Sequence, residues 1–244
     1  MSNLRFYSPE NLSLGATIKL SENAATHATR VLRLNVGDRL NLFNGDGFDY
    51  ASELILVKKN EVLAKVISSH ALDNESPLNI TLLQGISSGD RMDFSIQKAV
   101  ELGVQLIQPI ATDRSVVKLS AERAEKRLEH WQNIVISACE QCGRASIPKV
   151  LAPKSLANWI ADNMQSNITR ILLNPIAAKR LAELEKPLGE IQLLIGAEGG
   201  LTQSEINLAI SEGFQSVLLG PRILRTETAG PTAIAALQSL WGDF

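Results

Sequence analysis

The sequence predicts an α/β protein in which a small β-rich domain precedes a larger domain built on a parallel sheet. Three observations support this prediction. Short alternating apolar runs fill the first 72 positions, and an apolar strand, a broken loop and a helix recur three times between residues 170 and 241. Between these regions, residues 71–77 are polar, end in proline and lack periodicity. We therefore expect one domain at 1–72 and another at 73–244.

The first domain is predicted to be a set of short strands. Its strongest turn signal is Asn44-Gly45-Asp46-Gly47, and two alternating runs, 50–57 and 62–67, predict a hairpin. Shorter strand candidates lie at residues 5–7, 17–20 and 39–43.

A short helix is predicted from Ser21, a capping residue, to Arg33. Arg30 and Arg33 are three residues apart and should share a helical face, with His27 one turn earlier on the same side. Paired guanidinium groups suit phosphates and base edges, so this face is a candidate RNA contact. Ordinary surface arginines on a solvated helix are the alternative.

The second domain combines apolar strands with amphipathic helices. A long helix is predicted at 121–142, and it contains Cys139 and Cys142, so buried thiols are favoured over a zinc or redox site. A final helix runs to Trp241 with Pro231 in its first turn. The other predicted elements are strands at 78–85 and 106–110 and a helix at 91–103.

The C-terminal strands end in loops that suit ligand binding. The first strand, 170–173, runs into Asn174-Pro175 and a predicted helix at 176–184. The second, 192–195, runs into a glycine-rich loop, and the third, 217–219, runs into Gly220-Pro221. In a parallel sheet with helical crossovers these loops leave the carboxyl ends of the strands, where open α/β folds bind ligands. Taken singly, each loop is also compatible with an ordinary connection.

Several functional classes are disfavoured by what the chain lacks. It has no phosphate-binding loop of the G-x-x-x-x-G-K-[ST] type, no G-x-G-x-x-G, no G-x-S-x-G and no H-E-x-x-H, and its three histidines argue against a metal or triad enzyme. A net charge of −2 argues against a generally basic nucleic-acid coater, so RNA contacts must come from local patches. Because no apolar run could span a bilayer and no secretory leader begins the chain, we expect a cytoplasmic protein.

Two motifs resemble a known family. The stretches Gly196-Ala197-Glu198-Gly199-Gly200-Leu201 and Leu219-Gly220-Pro221-Arg222-Ile223-Leu224-Arg225-Thr226-Glu227-Thr228-Ala229 are similar to the cofactor-binding signature of the RsmE family. Its members are 16S ribosomal RNA uridine N3-methyltransferases of the SPOUT superfamily. The second motif matches throughout, whereas Ala197 stands where the family usually has proline.

The resemblance implies a fold, a cofactor and partners. It implies a SPOUT-type parallel sheet with a C-terminal trefoil knot, preceded by a PUA-like β-barrel domain that contributes to RNA binding. The cofactor would be S-adenosyl-L-methionine, and the substrate 16S rRNA or the small ribosomal subunit, with no membrane and no metal. A homodimer is also implied, with the long helices and the last helix as its interface.

The chemistry of the implied reaction, in which uracil N3 must lose its proton, suggests residue roles. Arg225 is the candidate that donates to a uracil carbonyl, and Glu198 is a candidate base or orienting group, although a carboxylate there could merely cap a helix. Thr226 and Thr228 could equally be capping residues, and Arg144 a cation beside a helix end. Ribose 2'-O-methylation and a non-catalytic RNA-binding module remain alternatives. The predicted cofactor residues are Leu173, Asn174, Gly196, Gly199, Gly200, Leu219, Gly220, Ile223, Leu224, Thr226, Thr228 and Ala229. The predicted RNA contacts are Arg5, His27, Arg30, Arg33, Arg91, Lys98 and Arg144.

Overall fold

The computed structural model describes residues 4–117, 120–163 and 167–244. They form two compact units, of which the first holds the residues up to Glu75 together with 136–147, and the second holds the rest. The boundary after residue 72 stays a prediction. The sequence carries no pattern that assigns 136–147 to the first unit.

The first unit is built on a five-stranded sheet with the order β1-β3-β4-β5-β2 among its described residues. Strand β1 pairs with β3 in parallel, and the remaining pairs are antiparallel. Alternate residues of the hairpin β4–β5, such as Leu54, Ala64 and Val66, are buried in its core. The strands are β1 (Arg5–Tyr7), β2 (Thr17–Lys19), β3 (Arg39–Phe43), β4 (Phe48–Lys58) and β5 (Glu61–Ala71).

The predicted helix in this unit is shorter than expected and changes type. Helix α1 (Glu22–Thr26) begins at Ser21, whose hydroxyl accepts a hydrogen bond from the Ala24 N–H at 3.2 Å. It continues as a π-helical turn, His27–Val31, and Arg33 lies beyond it with a φ of +56°. The prediction that Arg30 and Arg33 share one α-helical face is therefore wrong, because the wider turn and the left-handed residue break the spacing on which it relied.

A buried arginine ties the segment 136–147 into the first unit. The Arg5 guanidinium bonds the Asp49 carboxylate at 2.6 Å and also donates to the backbone oxygens of Cys139 at 2.7 Å and Arg144 at 3.2 Å. The Arg5 side chain is only 1% exposed. Cys139 is a buried thiol as predicted, and burial raises its pKa to about 12.

The second unit is built on a seven-stranded, all-parallel sheet with the order β10-β12-β9-β11-β6-β7-β8 among its described residues. The predicted parallel α/β class is thereby confirmed. The strands are β6 (Ile80–Gly85), β7 (Leu106–Ile110), β8 (Lys149–Val150), β9 (Ile168–Leu173), β10 (Lys179–Arg180), β11 (Glu190–Ile195) and β12 (Gln215–Leu218). The helices are α2 (Asp90–Glu101), α3 (Ala121–Cys142), α4 (Leu156–Asp162), α5 (Gln203–Ser211) and α6 (Thr226–Trp241), and the part of α3 from residue 136 onwards belongs to the first unit.

The centre of this sheet is buried on both faces. Consecutive residues of β6 and β11, such as Leu82, Leu83, Leu193 and Leu194, are fully buried, as expected for parallel strands covered by helices. Because β9 pairs in parallel with both β11 and β12, the carboxyl ends of these three strands lie at the same edge of the sheet. No helix in the described part of the chain is long and apolar enough to cross a bilayer.

The helix predicted at 176–184 does not form. Lys179 and Arg180 instead make strand β10, which pairs in parallel with β12, and a 3-10 turn follows at Leu181–Glu183. Leu181 and Leu184 are both buried, and their spacing of three residues imitates a helical stripe. Pairing with the sheet edge overrides that local pattern.

Candidate active site

A cavity of about 660 Å³ lies where the loops after β9, β11 and β12 meet the start of α6. All of its walls belong to the second unit. Apolar side chains such as Ile195, Leu218 and Ile223 alternate in the wall with glycines and a few charged groups. A small-molecule site has this composition and size.

Most of the predicted cofactor residues lie in this wall. Gly220 and Thr228 do not, although the φ of +79° at Gly220 lets the chain turn there. The Asn174 side chain is already engaged, donating to Ser216 Oγ and accepting from the Ile176 N–H, both at 3.2 Å. It shapes the wall rather than offering a free hydrogen bond. The predicted residues in the wall are Leu173, Asn174, Gly196, Gly199, Gly200, Leu219, Ile223, Leu224, Thr226 and Ala229.

The glycine loop after β11 is packed tightly against the end of β6. A Cβ placed on Gly85 would lie 2.3 Å from the Ala197 nitrogen, so only glycine allows this approach. Within the loop, the Gly200 N–H donates to the Ala197 oxygen at 2.9 Å, and Gly200 has a φ of +68°. The loop therefore exposes main chain to the cavity.

Thr226 connects three parts of the site. Its hydroxyl donates to the Gly196 oxygen at 2.7 Å and accepts from the Gln84 side-chain amide at 2.9 Å. Both Thr226 and Gln84 are buried. The Thr226 hydroxyl thus holds the end of β6, the glycine loop and the start of α6 together, and it has no free hydrogen bond to give to a ligand.

Glu198 lies in the cavity wall and is strongly held. One carboxylate oxygen accepts from the Ser88 N–H at 2.8 Å, the Ser88 hydroxyl at 2.6 Å and the Arg91 guanidinium at 3.0 Å. Partial burial acts to raise the pKa of Glu198, but the hydrogen bonds from Ser88 and Arg91 outweigh it and lower the pKa to about 2. A carboxylate this acidic is a poor general base, which leaves Glu198 the orienting role.

Arg225 lies at the mouth of the cavity with its side chain available. Its backbone oxygen accepts from Thr228 and Ala229 at the start of α6, which fixes its position. Within the part of the chain that the structure describes, no ion pair or hydrogen bond engages its guanidinium, and the same holds for Arg222. Arg225 can therefore donate to a ligand without breaking an existing contact.

Comparison with known proteins assigns the family. The family model for an RNA methyltransferase domain matches residues 74–238, and the model for an RNA methyltransferase PUA domain matches residues 20–67. The ribosomal RNA small subunit methyltransferase E of Buchnera aphidicola from Acyrthosiphon pisum is 36% identical over 98% of this chain and 94% of that protein. The chain belongs to the RsmE family of RNA methyltransferases.

Solved structures agree with this membership. A ribosomal RNA small subunit methyltransferase E from Neisseria gonorrhoeae, bound to S-adenosyl methionine, is 48% identical with a TM-score of 0.91 and covers 98% of both chains. The putative methyltransferase Lpg2936 from Legionella pneumophila, in complex with the cofactor SAM, is 38% identical with a TM-score of 0.95 over the full length of both chains. The RsmE fold, with a PUA domain before the parallel sheet, is confirmed. The trefoil knot stays a prediction.

The sequence-based predictions missed three charged residues that line this RsmE site, Arg114, Arg222 and Glu227. Arg114, in the loop after β7, lines the cavity and donates to the backbone oxygens of Gly199 and Leu201, both at 3.3 Å. Asp113 beside it accepts a hydrogen bond from Thr202 at 3.2 Å. The available signal for Arg114 was position alone, because its loop also follows the carboxyl end of a parallel strand.

The predicted RNA contacts fall into two groups that differ in solvent exposure. Arg5 is buried against Asp49, and Arg144 is buried with its side chain 4% exposed and paired with Glu75 at 2.5 Å. We correct the prediction for both, because a buried guanidinium that is paired with a carboxylate of the same chain cannot reach a phosphate. The remaining residues, His27, Arg30, Arg33, Arg91 and Lys98, keep exposed surface, although Lys98 pairs with Glu101 and Arg91 with Glu198.

Proposed function

We propose that this protein transfers a methyl group from S-adenosyl-L-methionine to N3 of a uridine in 16S ribosomal RNA of the small subunit, in the cytoplasm. The observation that carries the proposal is that all three C-terminal loops, with Arg225 in the third, line one cavity. Membership of the RsmE family, and the cofactor bound in two similar solved structures, support it.

The residues present suit this cofactor. The cavity volume of about 660 Å³ falls within the usual range for small-molecule sites. Apolar side chains such as Leu219 and Leu224 would pack against a flat aromatic base, and the main chain of Gly196 to Gly200 would meet its polar edges. The other residues proposed to hold it are Leu173, Asn174, Ile223 and Ala229. When bound, it supplies a methyl group on a positively charged sulfur.

The roles of the protein's own residues follow from the needs of the reaction. Methylation of uracil N3 requires that N3 approach the methyl carbon in line with the carbon–sulfur bond and that the N3 proton be lost. We propose that Arg225 donates to a uracil carbonyl and so favours the negative charge that develops on the base. Glu198 holds Ser88 and Arg91 in place beside it.

The proposed RNA contacts are His27, Arg30 and Arg33 in the first unit, and Arg91 and Lys98 in the second. Exposed arginines bind phosphates through charge and so make affinity depend on salt. Replacing Arg30 and Arg33 together by alanine should lower the slope of log affinity against log salt by about 2, since each lost phosphate contact removes about 1. Replacement of Lys58 and Lys59, on the hairpin turn of the same unit, is the control.

We also propose a homodimer. In the second unit α2 contacts α6, and these helices leave large apolar side chains exposed, with Phe94 45% and Leu240 44% accessible. Apolar area of this kind is typical of an interface. Light scattering at micromolar concentration should give twice the chain mass, and a monomeric mass would contradict the dimer.

Two measurements test the function. Titration calorimetry with S-adenosyl-L-methionine should give saturable heat, and its absence would indicate a non-catalytic RNA-binding module. Mass analysis of nucleosides from small subunits of a strain lacking the gene should show no N3-methyluridine, which the purified protein should restore. Loss of a 2'-O-methylated nucleoside instead would assign the ribose reaction.

A further inference from the structure

Two carboxylates line the cavity, and they differ in what already binds them. Glu198 accepts three hydrogen bonds, from the Ser88 N–H, the Ser88 hydroxyl and Arg91. Glu227, in the first turn of α6, is engaged in none among the described residues. The three bonds lower the basicity of Glu198, so among these two carboxylates Glu227 is the better placed to accept a proton.

The Glu227 carboxylate accepts no hydrogen bond from its described surroundings. Oε2 is buried and has no hydrogen-bond partner in the described structure, while Oε1 lies 3.8 Å from Nε of Arg91, beyond hydrogen-bond distance. The Glu227 side chain is 19% exposed and the Arg91 side chain 44% exposed, so solvent weakens this ion pair. A buried carboxylate oxygen without a donor is unusual, and a catalytic role is one of the known explanations for it.

The neighbouring Arg225 completes a pattern that fits one edge of uracil. Around N3 that edge presents a carbonyl acceptor, the N3–H donor and a second carbonyl acceptor. Arg225 supplies donors, Glu227 supplies an acceptor, and both line the same cavity two residues apart. Cytosine carries an acceptor at N3 instead, which would face the Glu227 carboxylate unfavourably.

We propose that Glu227 accepts the N3 proton of the target uracil while Arg225 donates to an adjacent carbonyl oxygen, an inference that rests on the proposed function. The N–H bonding pair stays on N3, which forms the new bond to the methyl carbon. The electrons of the broken carbon–sulfur bond stay on sulfur, which becomes neutral, and the proton passes from Glu227 to water. Atoms and charge balance without another reactant.

The test compares Glu227→Gln with wild type in single turnover at saturating cofactor. The substrate is small subunits reconstituted on 16S RNA transcribed with uridine or with 5-fluorouridine, whose N3–H is more acidic. Each reaction is run from mildly acidic to alkaline pH, and cofactor affinity is measured separately by calorimetry. Glu185→Gln is the matched control, because Glu185 is exposed and lies outside the cavity wall.

We expect Glu227→Gln to lower the turnover rate by about 10²-fold to 10⁴-fold. The loss should shrink at alkaline pH and with 5-fluorouridine, because a base that ionises by itself needs no acceptor. Cofactor affinity and the control variant should match wild type.

Four results would overturn the proposal. Turnover of Glu227→Gln within about threefold of wild type would remove Glu227 from proton transfer. A loss that neither pH nor 5-fluorouridine relieves would assign it a positioning role, and a loss of cofactor affinity would assign it to the cofactor. If wild type itself forms no N3-methyluridine, the proposed function fails first and this inference with it.

Discussion

Thr226→Val tests whether one hydroxyl holds the cavity together. The substitution keeps the shape of the side chain but removes the donor to the Gly196 oxygen at 2.7 Å and the acceptor of the Gln84 amide at 2.9 Å. After the substitution the Gln84 amide keeps only its hydrogen bond to the Gly85 oxygen at 3.1 Å, and Gln84 Oε1 has no partner in the described structure. The partly buried Gly196 oxygen and the buried Gln84 amide each lose a hydrogen bond, and each loss costs about 1 to 2 kcal/mol.

We therefore expect Thr226→Val to lower the unfolding free energy by about 2 to 4 kcal/mol, which corresponds to about 5 to 10 °C in Tm. Thr228→Val is the control, because Thr228 is exposed in the same helical turn and should change stability by less than about 0.5 kcal/mol. Urea unfolding measures both, and calorimetry should show weaker cofactor binding for Thr226→Val alone. Equal unfolding midpoints for the two variants would refute the reasoning.

Three further predictions follow from close contacts and charge. Gly85→Ala would place a Cβ 2.3 Å from the Ala197 nitrogen, so calorimetry should detect no cofactor binding; retained affinity would contradict the tight approach. Asp49→Asn leaves the buried Arg5 without its counter-charge and should cost about 3 kcal/mol in urea unfolding, whereas wild-type stability would argue that the pair is dispensable. The pKa of Glu198 is lowered from 4.5 to about 2, so its stabilisation should be complete above pH 4.5 and lost as the pH falls towards 2. The gap in unfolding free energy between wild type and Glu198→Gln, about 1 to 2 kcal/mol after allowance for solvent, should close over that range, and a constant gap would disprove the assignment.

The local hydrophobic pattern was enough to predict the type and position of most helices and strands. The alternation in β4 and β5 and the apolar spacing of α3 predicted type and position, because burial on one face repeats at the period of the element. The pattern failed at 176–184, where the spacing of Leu181 and Leu184 suits a helix but the segment joins a sheet edge. At His27–Val31 the chain forms a π-helical turn, which the hydrophobic periodicity does not predict. This turn changes which side chains share a face of the helix.

The sequence by itself predicted that three loops follow parallel strands, and its two motifs contain most of the residues that line the cavity. Only the tertiary structure decided which charged side chains are buried, which are paired and which are available. Arg5 and Arg144 look like surface arginines in sequence but are enclosed by Asp49 and Glu75, partners 44 and 69 residues away. Glu198 and Glu227 look alike in their motifs, yet Glu198 accepts three hydrogen bonds and Glu227 accepts none among the described residues. Spacing along the chain reports faces and turns, whereas the ionisation and availability of a side chain depend on neighbours that folding alone brings close.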